Sequence, residues 1–137
     1  MSQLIDQLKR HEGYRSKPYT CSAGKLTIGY GRNLDDVGIS DEEAEVMLES
    51  DVLIAQQAAN TLDYYETLDS VRQDVIVNMI FNMGMTRFLG FKNMNAALYV
   101  KDYNLASTEM LSSKWAVQVG DRSRELSAQM KNGEYAS

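Results

Sequence analysis

One cysteine, one histidine and no long apolar run set the first limits on this 137-residue chain. A lone Cys21 rules out an intramolecular disulfide framework. Cys21 and His11 together fall short of the ligands an ordinary Cys/His zinc site requires, so no metal and no other cofactor is expected. No apolar run approaches the roughly 18 residues that suggest a membrane span, which argues against membrane insertion. Positive charge is also in short supply: 14 Lys and Arg face 19 Asp and Glu, a net charge of −5. That balance lacks the basic footprint of a nucleic-acid binder. The first ten residues mix acidic and basic side chains among apolar ones, without the apolar core and small-residue cleavage site of a signal peptide. There is no internal repeat or low-complexity tract.

What is present is a hydrophobic content of 44%, enough for a packed core in one domain or in two small lobes sharing a helix. Leu4, Ile5 and Leu8 form one face of a short first helix, and Gly13 after Glu12 is suited to the left-handed conformation of a C-cap. Between Tyr14 and Arg32 the pattern changes to that of a β-hairpin. Pro18, Ser22-Ala23-Gly24 and the alternation of Leu26, Ile28 and Tyr30 against Thr27 and two glycines mark it. Ser40-Asp41-Glu42-Glu43 is a capping box that predicts a helix start, and helical spacing continues from Ala44 to about Asn60. Leu68 to Met83 reads as a central buried helix that stops at Gly84. Shorter helices are predicted around Asn93 to Val100, Asn104 to Ser112 and Asp121 to Met130.

Chemistry points to Glu12. A carboxylate at a helix C-terminus feels the negative end of the dipole, and partial burial against the hairpin adds to an upward pull on its pKa. A carboxyl group that keeps its proton near neutrality can protonate the leaving oxygen of a glycosidic bond. Taken alone, a glutamate at a helix end is most often solvated or ion-paired, so spacing has to carry the argument. Eight residues separate Glu12 from Cys21, and five separate Cys21 from Thr27.

That spacing, with Glu12-Gly13, Pro18-Tyr19 and Thr27-Ile28-Gly29-Tyr30-Gly31, resembles the Glu, Asp or Cys, Thr catalytic triad of the T-even-phage lysozyme-like family, glycoside hydrolase family 24. Leu68-Asp69-Ser70-Val71-Arg72, Asn78 to Gly84, and Ser113-Lys114-Trp115 followed by Arg122 extend the likeness in the right order. The resemblance implies an α+β lysozyme-like fold in a single domain, 1–137. Residues 13–60 would form a small β-hairpin lobe with a long linking helix. Residues 1–12 and 61–137 would form a larger all-helical lobe, with the active-site cleft between the two. The stretch Asn33 to Ile39 is short for the family, which makes the small lobe more compact.

By the same resemblance Glu12, Cys21 and Thr27 are catalytic, Phe81 and Asn82 bind substrate, and Trp115 and Arg122 support the site. In this chain a cysteine stands where a carboxylate also serves the family. A thiol is mostly neutral at pH 7 unless Lys17, Lys25 or backbone N–H groups favour its anion. As a thiolate it can act as a base on water, which inverts the anomeric centre, or attack that centre, which retains it. A buried or turn cysteine that does neither is the third option. Phe81 is read as a wall of the cleft or as core, Trp115 as packing, and Arg122 as a group that reaches Glu12 or a solvated charge.

The implied function is a muramidase, a peptidoglycan hydrolase cutting the β-1,4 bond between N-acetylmuramic acid and N-acetylglucosamine, used as a phage endolysin in host lysis. The alternatives are a lytic transglycosylase, which needs the acid but no water-activating partner, and a catalytically inactive cell-wall-binding module. The expected partners are peptidoglycan glycan strands, met as a monomer. Release from the host cytoplasm to the periplasm and wall would depend on a separate membrane-hole protein, a holin.

Overall fold

The computed structural model describes residues 2–135; Met1, Ala136 and Ser137, at the ends of the expected 1–137 domain, lie outside them. Eight α-helices and one three-stranded antiparallel sheet are found among the described residues, an α+β arrangement. The chain falls into two compact units, one up to Met47 and one from Leu48, with the boundary inside helix α2 (Asp41–Ala59).

The first unit begins with α1 (Ser2–Glu12). Gly13 ends it at φ +72°, its N–H donating to the Lys9 carbonyl at 3.0 Å. A side chain at that φ meets backbone clash that glycine avoids. Strand β1 (Arg15–Thr20) pairs antiparallel with β2 (Leu26–Gly29), and β2 with the two-residue β3 (Arg32–Asn33). The β1–β2 register slips between Arg15 and Tyr19. Pro18 lies in that stretch and has no N–H for the ladder.

Thr27 is the one buried residue among the described residues of this unit, at 4% exposure. On the apolar side of the alternation, Leu26 and Tyr30 are exposed and Ile28 only half-buried. Hydrogen bonds and ion pairs therefore do much of the work of a core here. The capping box forms as read: the Glu43 N–H donates to Ser40 Oγ at 3.1 Å and the Ser40 N–H to Glu43 Oε1 at 2.9 Å. The same carboxylate receives both arms of Arg32, at 2.8 and 2.6 Å, and Arg32 also donates to the Gly38 carbonyl at 3.0 Å. One glutamate thus starts α2 and ties it to β3.

The Arg32 guanidinium, then the Ser40 N–H, hold the Glu43 carboxyl down at about 2. Because its value is lower folded than unfolded, its stabilising contribution is complete above about 4.5 and is lost as pH falls through about 2. Glu43→Gln is expected to be less stable than wild type at neutral pH and to lose less stability across that window. Paired acid-unfolding curves check this, and equal losses for both proteins would reject it.

The second unit is helical. Asp69 caps α3 (Ser70–Met83), its side chain accepting the Arg72 N–H. Val75, Ile76, Val77, Met79 and Ile80 of α3 are buried, so an apolar run long enough to be internal becomes the centre of the core. The remaining helices are α4 (Met85–Leu89), α5 (Lys92–Tyr99), α6 (Tyr103–Leu111), α7 (Lys114–Val119) and α8 (Asp121–Asn132). Neither α4 nor α7 stands out in the sequence, since one or two turns are too short to show helical periodicity. Helix α6 packs on α5 and α8, and α3 on α4 and α8. Phe88, Leu98, Met110, Trp115 and Met130 are among the residues buried with them.

Candidate active site

Three contacts hold the end of α1 to the sheet. Lys9 lies over the Tyr30 ring at 5.7 Å, Tyr14 packs on Tyr30 with ring centroids 5.4 Å apart, and the Glu12 carboxylate lies against Gly31. Gly31 has φ +80°, and a Cβ there would come within 2.8 Å of Glu12 Oε2. The second glycine of Gly29-Tyr30-Gly31 thus makes room for the carboxylate as well as for the turn. The burial expected of Glu12 is not found: its side chain is exposed, and the residue it lies against, Gly31 in the turn between β2 and β3, has no side chain to cover it. His11, beside it in the last helical turn, is exposed too.

Cys21 and Thr27 are brought together. After β1 the chain turns, the Gly24 N–H donating to the Cys21 carbonyl and the Cys21 N–H to the Lys25 carbonyl, both at 2.9 Å. The Lys25 N–H first, then the Ala23 N–H and the Thr27 hydroxyl, favour the anion of the half-buried thiol and pull it below its ordinary range. Of the groups that the sequence offers for this effect, the backbone amides act, while the Lys25 ammonium is engaged by Asp36 at 3.2 Å. The Thr27 hydroxyl also reaches the Lys25 carbonyl at 2.9 Å, so its single proton has two acceptors.

In the second unit the Trp115 indole N–H donates to Asn82 Oδ1 at 2.7 Å, which leaves the Asn82 amide NH₂ for another acceptor. Trp115 is 1% exposed and packs edge-on against Phe91. Phe81 is 42% exposed, which removes the core reading. It lines a hollow of about 340 Å³ with Val52, Val77, Asn78 and Arg122. Asn78 Oδ1 accepts from both Arg122 Nε at 3.0 Å and Nη2 at 2.8 Å, so this guanidinium is not a loosely solvated charge. Sequence reading misses Asn78 as its holder. The available signal is the pair Asn78 and Asn82, two amides four residues apart on one face of the apolar second half of α3.

A model of the phage lysozyme family matches residues 9–132. The chain belongs to the phage lysozyme family. It is 38% identical to an endolysin of Acyrthosiphon pisum secondary endosymbiont phage 1, over 80% of this chain and 74% of that one. It is 28% identical to the probable T4-type lysozyme 1 of Dictyostelium discoideum over 97% and 96%, and 30% identical to the endolysin of Salmonella phage P22 over 84% and 83%. Membership makes the chain a lysozyme-type enzyme with peptidoglycan as its substrate. No helix among the described residues is long and apolar enough to cross a membrane.

Proposed function

We propose that this lysozyme hydrolyses the β-1,4 bond between N-acetylmuramic acid and N-acetylglucosamine, with Glu12 as the acid and Cys21 as its partner. The turn that joins Cys21 and Thr27 carries this reading: the Cys21 N–H and the Thr27 hydroxyl both donate to the Lys25 carbonyl at 2.9 Å, and the surrounding amides favour the thiol anion the reaction needs. Glu12 gives its proton to the leaving oxygen. The Cys21 thiolate takes a proton from a water held by Thr27, and the resulting hydroxide attacks the anomeric carbon from the opposite face. Phe81 and the free NH₂ of Asn82 contact the sugar, while Trp115 fixes Asn82 and Arg122 supports the site. Action as a monomer, and a route from the host cytoplasm through a holin, belong to the same reading.

The test is turbidity loss of Gram-negative peptidoglycan as a function of pH. A thiol that titrates below its ordinary range supplies its anion at lower pH, so activity should rise with the Cys21 thiolate. Cys21→Asp is expected to keep activity and move that rise to the carboxylate range. Cys21→Ser and thiol alkylation are expected to lower the rate about a hundredfold, the size of a lost general base. Near-normal activity in Cys21→Ser would make the cysteine a turn residue. The first-formed anomer separates base from nucleophile, retention indicating attack by sulfur. Anhydromuramyl products would replace hydrolysis with transglycosylation. Sedimentation with walls that are not cleared would leave only binding.

A further inference from the structure

The segment Asn33 to Asp36, which directly follows Ile28-Gly29-Tyr30-Gly31-Arg32, folds back on the start of β2. Asp35 Oδ2 accepts the Leu26 N–H at 2.7 Å, and the Leu34 N–H donates to the Leu26 carbonyl at 2.7 Å. Asp36 binds the Lys25 ammonium, and Asn33 holds Asp36 twice, through its side-chain NH₂ and through the Asp36 N–H, each at 3.0 Å. Both peptide groups of Leu26 are therefore gripped from the side away from β1. Lys25, whose carbonyl accepts the Cys21 N–H at 2.9 Å, is the residue immediately before it.

We propose that Asp35 is a positioning residue for Cys21, which it serves by anchoring the Leu26 N–H and so fixing the Lys25 end of the turn that carries the sulfur. The charged groups of this turn are Lys25, Asp35 and Asp36. The ammonium is paired, so the two acids act on Cys21 through the backbone they hold and not by cancelling a cation beside it. The proposal rests on the reading of Cys21 as the partner of Glu12, but its test does not need catalysis.

Cys21 is the only thiol of the chain, so the pH dependence of iodoacetamide alkylation reports on it alone. Asp35→Ala is expected to shift that profile upward and slow alkylation at pH 7 about threefold, the effect of weakening hydrogen bonds to a thiolate. Asp35→Asn keeps an acceptor for the Leu26 N–H and is expected to restore the wild-type profile. Pure charge repulsion predicts the reverse, both substitutions shifting the profile downward together, and that result overturns the proposal. So does an Asp35→Ala profile that coincides with wild type. In the wild-type protein, where folding of a variant is not in question, the Lys25 and Ala23 amide resonances are expected to titrate together with the Cys21 Cβ resonance. Amides that ignore that titration also overturn it. If clearing activity survives Cys21→Ser while the alkylation results hold, the catalytic reading fails and the positioning of the thiol stands.

Discussion

Glu12→Gln is expected to lower wall clearing by about 10²- to 10⁴-fold, the range supplied by a positioned general acid. Glutamine has nearly the shape of glutamic acid and fits the space beside Gly31, so α1 and the sheet should be undisturbed. What it lacks is a proton acidic enough for the leaving oxygen. Bond cleavage then has to expel an unprotonated sugar oxygen, and no partner at the anomeric carbon makes up for that. The matching measurement is co-sedimentation with intact walls, which should stay close to wild type because only the chemical step has changed. Clearing at the wild-type rate would remove Glu12 from the mechanism, and loss of wall binding would assign it to recognition instead.

Trp115→Ala is expected to cost about 3–5 kcal/mol, a large share of the roughly 5–15 kcal/mol that holds a domain together. The indole is fully enclosed, packs edge-on against Phe91 and satisfies Asn82 Oδ1. Its removal opens a cavity and also leaves an acceptor without its donor. Trp115→Phe keeps most of the ring and loses the N–H, so it is expected to cost less, about 1–3 kcal/mol. Thermal unfolding separates the two, and the phenylalanine variant also frees Asn82. A rise in KM there without a fall in kcat would connect the Trp115–Asn82 hydrogen bond to sugar binding. Equal melting temperatures for all three proteins would contradict the burial argument.

Features that depend on near neighbours in the chain are legible in the sequence. Gly13 has to accept a left-handed conformation, and Ser40 and Glu43 are three residues apart, so the C-cap and the capping box follow from local geometry. The apolar run of α3 likewise announces a buried helix by its length and composition. Spacing singles out Glu12, Cys21 and Thr27 through likeness to a family, and the family match over residues 9–132 agrees with that likeness.

Other features depend on groups distant in sequence. Alternation along β2 defines two faces but not which one turns inward. Thr27 takes the buried position, its hydroxyl satisfied by the Lys25 carbonyl. Arg32 finds Glu43 across 11 residues, Trp115 finds Asn82 across 33, and Arg122 finds Asn78 across 44. Each pair joins polar groups far apart in the chain, and composition cannot name the partner. The sequence by itself determined the C-cap of α1, the start of α2, the hairpin and the central apolar helix. Tertiary structure decided what holds Arg122 and Asn82, and how exposed Glu12 is. Those properties are set by chain segments that meet only after folding.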